Sequence, residues 1–155
     1  MLNNKEILTS FLNAVSTDIQ NKQKEQGRVA SGKSLAAYEV EVDEFSGKLY
    51  GINYVGTLET GRKAGRVPKF FRTIILEWMN QKSLFQAESE SKRKSIAYLI
   101  ARKIANDGTK LHRDGGKSGV LSTVVTEQRI NMFSNEILES LQNDTLNQMV
   151  AEFAR

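Results

Sequence analysis

The chain has 155 residues, 39% of them hydrophobic and 26% charged, with a net charge of +4. That is one domain's worth of sequence, expected to fold as a soluble mixed α/β unit spanning residues 1–155, and too apolar to stay disordered. The absence of cysteine and the presence of a single histidine, His112, exclude disulfides, thiolate metal sites and cysteine nucleophiles; no apolar run approaches a membrane span, and no export signal or cleavage is expected.

The spacing of Ile7, Leu8, Phe11, Leu12, Val15 and Ile19 predicts an amphipathic helix over residues 4–24. Asn3 suits its N-cap with Glu6 reaching back, the tail Gln20 to Gln26 reads as polar throughout, and Gly27 is a natural stop. From Tyr38 the period changes to two. Tyr38, Val40 and Val42 alternate with Glu39, Glu41 and Asp43, Ser46-Gly47 signals a turn, and Tyr50, Ile52 and Tyr54 share one side of the return strand. Together these predict a β-hairpin over about 37–54.

Residues 55–61 suggest one helical turn, followed by a loop, Arg62 to Val67. Pro68 suits the first turn of the next helix, whose Phe70, Phe71, Ile74, Ile75, Trp78 and Met79 read as core. Residues 83–91 read as a loop. A helix from Lys92 to Asn106 places Ile96, Leu99, Ile100 and Ile104 on one face, with Ala97, Ala101 and Ala105 beside it, and Asp107-Gly108 ends it. Lys110 to Gly119 reads as a flexible glycine-rich loop, and Val120 to Val125 fits strand or helix. A last, extended helix covers 127–153, with Ile130, Phe133, Ile137, Leu141, Met149, Val150 and Phe153 as its apolar positions.

Charge is segregated along the chain. Residues 1–59 carry 6 Lys/Arg against 8 Asp/Glu, residues 60–118 carry 14 against 5, and residues 119–155 carry 2 against 5, giving −2, +9 and −3. A basic middle between acidic ends implies one positive surface, which is either a solvated face or a contact for a polyanion.

Gly27-Arg28-Val29-Ala30-Ser31-Gly32-Lys33-Ser34 matches the phosphate-binding pattern G-x-x-x-x-G-K-[ST]. In that chemistry Lys33 would reach the terminal phosphates and Ser34 would hold Mg²⁺. The context argues against it, because the entry is polar and helical where a buried strand is required, and the exit turns quickly into a strand pattern. Val42-Asp43-Glu44, the one hydrophobic-then-acid stretch, lies too close to supply the metal-binding acid. The segment reads better as a connector between helix and hairpin.

Other chemistry is sparse. His112 neighbours Asp114 but no serine stands in an elbow motif, so a solvated loop histidine is the better reading. Glu39, Glu41 and Asp43, with Glu44 beside them, share an outer strand face rather than forming a metal site. Tyr50, Tyr54, Phe70, Phe71 and Trp78 are able to stack bases, but their spacing places most of them in the core. No catalytic residue, cofactor site or metal site is assigned.

The middle of the chain resembles a known family. Leu49-Tyr50-Gly51, Tyr54, Leu58-Glu59, Gly61-Arg62, then Gly65, Val67-Pro68 and an aromatic-rich helix with Trp78, are similar to the tail-completion or head–tail connector (neck) proteins of tailed bacteriophages, in the version found in phages and prophages of Bacteroides-type bacteria. Ile96-Ala97-Tyr98, Ile100-Ala101, Lys103-Ile104-Ala105, Gly108-Thr109 and Arg113-Asp114-Gly115-Gly116 agree with it, as does the link Ala30 to Leu35. The likeness covers roughly residues 28–125. It departs from the common long-tailed form at Val67-Pro68-Lys69-Phe70-Phe71, where that form has an aromatic-Pro-aromatic step.

The resemblance implies an α+β fold: a long N-terminal helix, a small antiparallel sheet and three further helices packed on it. It also implies a virion structural protein that is not an enzyme. Such a subunit forms a homo-oligomeric ring of six or twelve copies between the portal or adaptor protein and the tail proteins, assembled in the host cytoplasm, with genomic double-stranded DNA passing through and no membrane involved. Arg62, Lys63, Arg66 and Lys69, followed by Lys110, Arg113 and Lys117, are the expected channel or interface residues. A small basic nucleic-acid-binding protein is the alternative, and a small P-loop NTPase acting through Gly27–Ser34 the third reading.

Overall fold

The computed structural model describes residues 4–43 and 46–154. Helix α1 runs from Asn4 to Glu25 and buries Ile7, Val15 and Ile19 along the predicted stripe. Its end is a Schellman turn: Gly27 has φ 61, its N–H donates to the Lys24 carbonyl, and the Arg28 N–H reaches back to the Gln23 carbonyl. The polar tail hides one exception. Gln23 is fully buried and its amide donates to the Tyr38 hydroxyl at 2.5 Å. Asn3, expected as the N-cap, lies outside the described residues.

A short helix α2 (Lys33–Ala36) leads into strands β1 (Glu39–Val42) and β2 (Gly47–Tyr50). They pair antiparallel, with Val40 opposite Leu49 and Val42 opposite Gly47. Both strands lie on α1. Leu49 packs on the core while Tyr50 is about half exposed, so the return strand turns the face opposite to the expected one inward. The reason is register: Leu49 pairs with the inward Val40, and pleating sends Tyr50 outward with Glu39. The strand also ends at Tyr50, and Tyr54 lies half exposed in the turn before α3 (Val55–Thr60).

Helix α4 (Phe71–Gln81) and α5 (Glu90–Asp107) pack on each other. Ile75 and Met79 meet Ala97 and Ala101 in a core of their own. The alanines, not Leu99, are the innermost positions of α5; Leu99 is exposed. Small side chains let the two helices approach closely, and Ile96, Ile100 and Ile104 close the flanks. Half of the predicted α4 core is also outside: Phe70, Ile74 and Trp78 face water because α5 covers only one side of the helix. Pro68 sits ahead of α4, accepting from the Phe71 N–H in a turn. Ser89 caps α5 through the Lys92 N–H.

After α5 comes α6 (Lys110–Arg113), a turn of helix where a flexible loop was expected. Residues 120–125 are neither strand nor helix but a series of turns. Val120 and Val124 point from it into the main core with Val15 and Ile19. Helix α7 (Glu127–Phe153), capped by Thr126, packs antiparallel on α1. Phe133 stacks on Phe11 with centroids 4.1 Å apart, and Arg129 pairs with Asp18 at 2.7 Å. The fold is α+β, with a long N-terminal helix and a two-stranded sheet.

Candidate functional site

The two basic loops singled out by the sequence are joined in space. Helix α3 ends at Gly61 (φ 72, ψ 177) and α5 at Gly108 (φ 75, ψ −179). Positive φ with extended ψ is essentially a glycine-only conformation. Both glycines also sit where two backbones touch. A Cβ on Gly61 would lie 2.5 Å from the His112 backbone nitrogen, and one on Gly108 would lie 2.6 Å from the Arg62 carbonyl oxygen. The contact is closed by hydrogen bonds: Thr109 N–H to the Arg62 carbonyl, Arg62 N–H to Thr109 Oγ1, and Gly65 N–H to the Ala105 carbonyl, each 2.8 Å.

Glu59 fixes the other side of the junction. Its carboxylate accepts from Ser118 Oγ (3.0 Å), Gly119 N–H (3.2 Å), Leu121 N–H (2.8 Å) and Ser122 Oγ (2.6 Å), and its carbonyl accepts from Ser118 N–H. Burial by itself pushes this carboxyl up, but the four donors outweigh it and hold the group down at about 2. One acid at the end of α3 thereby straps residues 118–122 to the start of the first basic loop. Sequence reasoning noted Glu59 only within a family pattern; a lone acid two residues before Gly61 was the available signal.

The seven basic residues divide into two groups. Arg62 is half-buried, with Nη2 donating to the Arg66 carbonyl at 2.8 Å and its guanidinium 5.4 Å from the Phe71 ring centroid. Arg113 donates to the Gly108 carbonyl at 2.8 Å, and Lys110 pairs with Asp114. Arg62 and Arg113 brace the loops, whereas Lys110 makes an exposed pair within its own turn. Lys63, Arg66 and Lys117 are exposed, and among the described residues their side chains hold no partner; Lys69 lies 5.8 Å from the Phe70 ring centroid. The exposed cations therefore stand on two braced loops that belong to one junction. His112 is exposed on α6.

The phosphate-loop look-alike has a different geometry. Gly27–Ser34 follows a helix, where the nucleotide-binding version follows a strand, and opens a helix of four residues. Lys82 donates to the carbonyls of Gly27 (2.7 Å) and Val29 (2.6 Å), so the loop turns acceptors toward a cation rather than N–H groups toward a phosphate. Ser34 is buried and Lys33 exposed. Glu39, Glu41 and Asp43 are exposed on the outer side of the hairpin, and Glu44 lies outside the described residues. Of the aromatics assigned mostly to the core, Tyr50, Tyr54, Phe70 and Trp78 are substantially exposed, while Phe71 packs against the α4–α5 core. The spacing marks a shared face but not whether a neighbour covers it.

Comparison of the chain with protein-family models, curated proteins and solved structures finds no match in any of the three. Among the described residues no helix is long and apolar enough to cross a membrane, and no group of three or more His, Asp or Glu is placed to hold a metal ion.

Proposed function

We propose that the chain is a ring-forming subunit of a phage head–tail connector, contributing its basic junction to a channel through which double-stranded DNA passes. The observation that carries this reading is the sorting of the basic loops: Arg62 and Arg113 hold backbone carbonyls and Lys110 is paired with Asp114, while Lys63, Arg66, Lys69 and Lys117 are left to solvent. Cations on a braced backbone suit sequence-independent contact with phosphates, which is weak enough at moderate salt to let DNA slide. The resemblance over residues 28–125 adds the portal and tail as neighbours. The exposed apolar residues of α4 and α7, among them Ile74, Leu146, Val150 and Phe153, suit a protein that is covered by others in an assembly.

The same four cations also suit a free nucleic-acid-binding protein, and solution behaviour separates the two. Native mass spectrometry at moderate salt is expected to give one closed multimer of six or twelve copies. A monomer that binds DNA tightly, with affinity collapsing as salt rises, would overturn the connector reading in favour of the second. In either case Lys63→Glu with Arg66→Glu is expected to leave the melting temperature unchanged within about 2 °C. It should lower the log–log salt slope of DNA binding by roughly 2, one for each lost phosphate contact. A variant pair with an unchanged slope places the DNA contact elsewhere.

A further inference from the structure

A cleft beside the phosphate-loop look-alike holds two cations and no counter-ion. It has a volume of about 400 Å³ and is lined by the Gly27–Ser34 segment, Tyr54 and Leu58 around the start of α3, and Trp78 and Lys82 at the end of α4. Lys82 Nζ donates to the Gly27 and Val29 carbonyls at 2.7 and 2.6 Å. Arg28 Nε donates to Gln26 Oε1 at 2.6 Å, and its Nη1 to the Leu58 carbonyl at 3.2 Å. All four acceptors are neutral. Among the described residues no Asp or Glu lines the cleft, and neither cation forms an ion pair. Two like charges are thus held half-buried at one opening, an arrangement that a bound anion relieves.

The free donors select the anion. A guanidinium carries five N–H groups and an ammonium three. Two of each are engaged, so three remain on Arg28 and one on Lys82. Ser34 adds a hydroxyl: the residue is 6% exposed and lines the cleft, and among the described residues its Oγ has no hydrogen-bond partner. Ser31 Oγ accepts from the Lys33 N–H at 3.4 Å and keeps its own proton to donate. A carboxylate has two oxygens and one charge to set against this. A phosphate monoester has three terminal oxygens and up to two charges, the better match to two cations and two hydroxyls.

The walls of the cleft are aromatic. Tyr54 is 50% exposed and Trp78 39%, and an accessible aromatic face beside cations stacks a nucleobase. A polyphosphate chain fits less well, because the Gly27 and Val29 carbonyls face the lysine where a phosphate loop aims N–H groups. Lys33, the lysine of the motif, is exposed and does not line the cleft.

We propose that this cleft binds a nucleoside monophosphate, its phosphate on Arg28, Lys82, Ser31 and Ser34 and its base against Tyr54 and Trp78. The same chemistry arrives as a free mononucleotide or as the phosphorylated end of a DNA strand. A single copy of the chain suffices for the site, so it stands or falls apart from the connector reading.

Trp78 is the single tryptophan, and its fluorescence reports on the cleft. The full chain is titrated at moderate salt with adenosine monophosphate, adenosine, inorganic phosphate, ATP and a 5′-phosphorylated dinucleotide. Expected is saturable quenching by adenosine monophosphate with a Kd of about 0.1–1 mM. Adenosine and phosphate alone should bind roughly tenfold more weakly or worse, and ATP no more tightly. Ser34→Ala removes a hydroxyl that bonds to nothing in the chain. It should leave the melting temperature within about 2 °C and weaken binding roughly tenfold. Lys82→Ala should abolish binding and Lys33→Ala leave it unchanged. Given these results, a dinucleotide that binds more tightly than the mononucleotide assigns the cleft to a strand end, and one that binds more weakly assigns it to the free nucleotide. Phosphate binding as tightly as adenosine monophosphate overturns the proposal in favour of a plain anion site. Tighter binding of ATP, lost in Lys33→Ala, overturns it in favour of the phosphate-loop reading. No saturable change with any probe up to about 10 mM, or full affinity in Ser34→Ala, overturns it outright.

Discussion

Replacing Glu59 by glutamine tests whether one carboxylate holds the basic junction together. The two oxygens of Glu59 accept from two backbone N–H groups and two serine hydroxyls. Glutamine keeps one acceptor oxygen and puts an NH₂ in place of the other. The serine hydroxyls can rotate to accept from it, but one N–H, of Gly119 or Leu121, then faces a donor. Losing one charge-assisted bond and weakening another costs about 2 kcal/mol, and Glu59→Ala about 3. The pH dependence gives an independent figure. A carboxyl lowered from 4.5 to about 2 is worth at most roughly 3 kcal/mol, and screening of this partly wet group brings that to about 2. The folded-state value is depressed, so the stabilisation is fully present above pH 4.5 and is lost as pH falls toward 2. Urea unfolding followed by Trp78, the single tryptophan, is the assay. At pH 7 Glu59→Gln should lower the midpoint without changing the slope, and the gap to wild type should close between pH 4.5 and pH 2. A gap under 0.5 kcal/mol at pH 7 by the same accounting, or one that is constant with pH, would refute the reasoning.

Gly108→Ala forces a side chain into a glycine-only conformation against the Arg62 carbonyl; a loss of about 3 kcal/mol, or roughly 9 °C in melting temperature, is expected by calorimetry. Gln23 is fully buried, with Nε2 on Tyr38 and Oε1 unpartnered. Gln23→Ala opens a cavity and strips Tyr38 of its partner, at about 2–3 kcal/mol, whereas Gln23→Met keeps the volume and removes the orphaned oxygen, at under about 1 kcal/mol; denaturant midpoints of the two variants check the order.

The elements with a strong period were legible in the sequence because each repeats one physical requirement many times. Helix α1 ends at Glu25 with Gly27 just beyond, and α7 begins at Glu127 and runs to Phe153, as the spacing predicts. Facing was less legible than helicity. In α4 the stripe from Phe70 to Met79 is real, yet Ile75 and Met79 are buried while Ile74 and Trp78 are wet. A period reports that residues share a side of a helix; burial depends on a second element arriving there, and α5 covers only part of that side. Strand β2 failed for a related reason. Leu49 and Tyr50 are both apolar, so alternation alone does not choose between them, and pairing of Leu49 with Val40 does.

The basic junction was half legible for a different reason. Composition identifies the cations of residues 60–118 and cannot rank them, because a guanidinium that braces a loop and one that meets a phosphate are the same letter. Ranking needs partners distant in sequence. Arg62 is engaged by its own loop and by Thr109, 47 residues on, and Glu59 by residues 59 to 63 positions later. Each of these bonds closes a long loop, whose entropic cost is recovered only when several close together. That explains the clustering: two glycine-only corners, the Thr109 bridge and the Glu59 strap meet within one junction. An exposed cation on such a junction keeps its place without spending its own charge on it. This favours Lys63, Arg66, Lys69 and Lys117, over Arg62, Lys110 and Arg113, as the groups left to meet a partner.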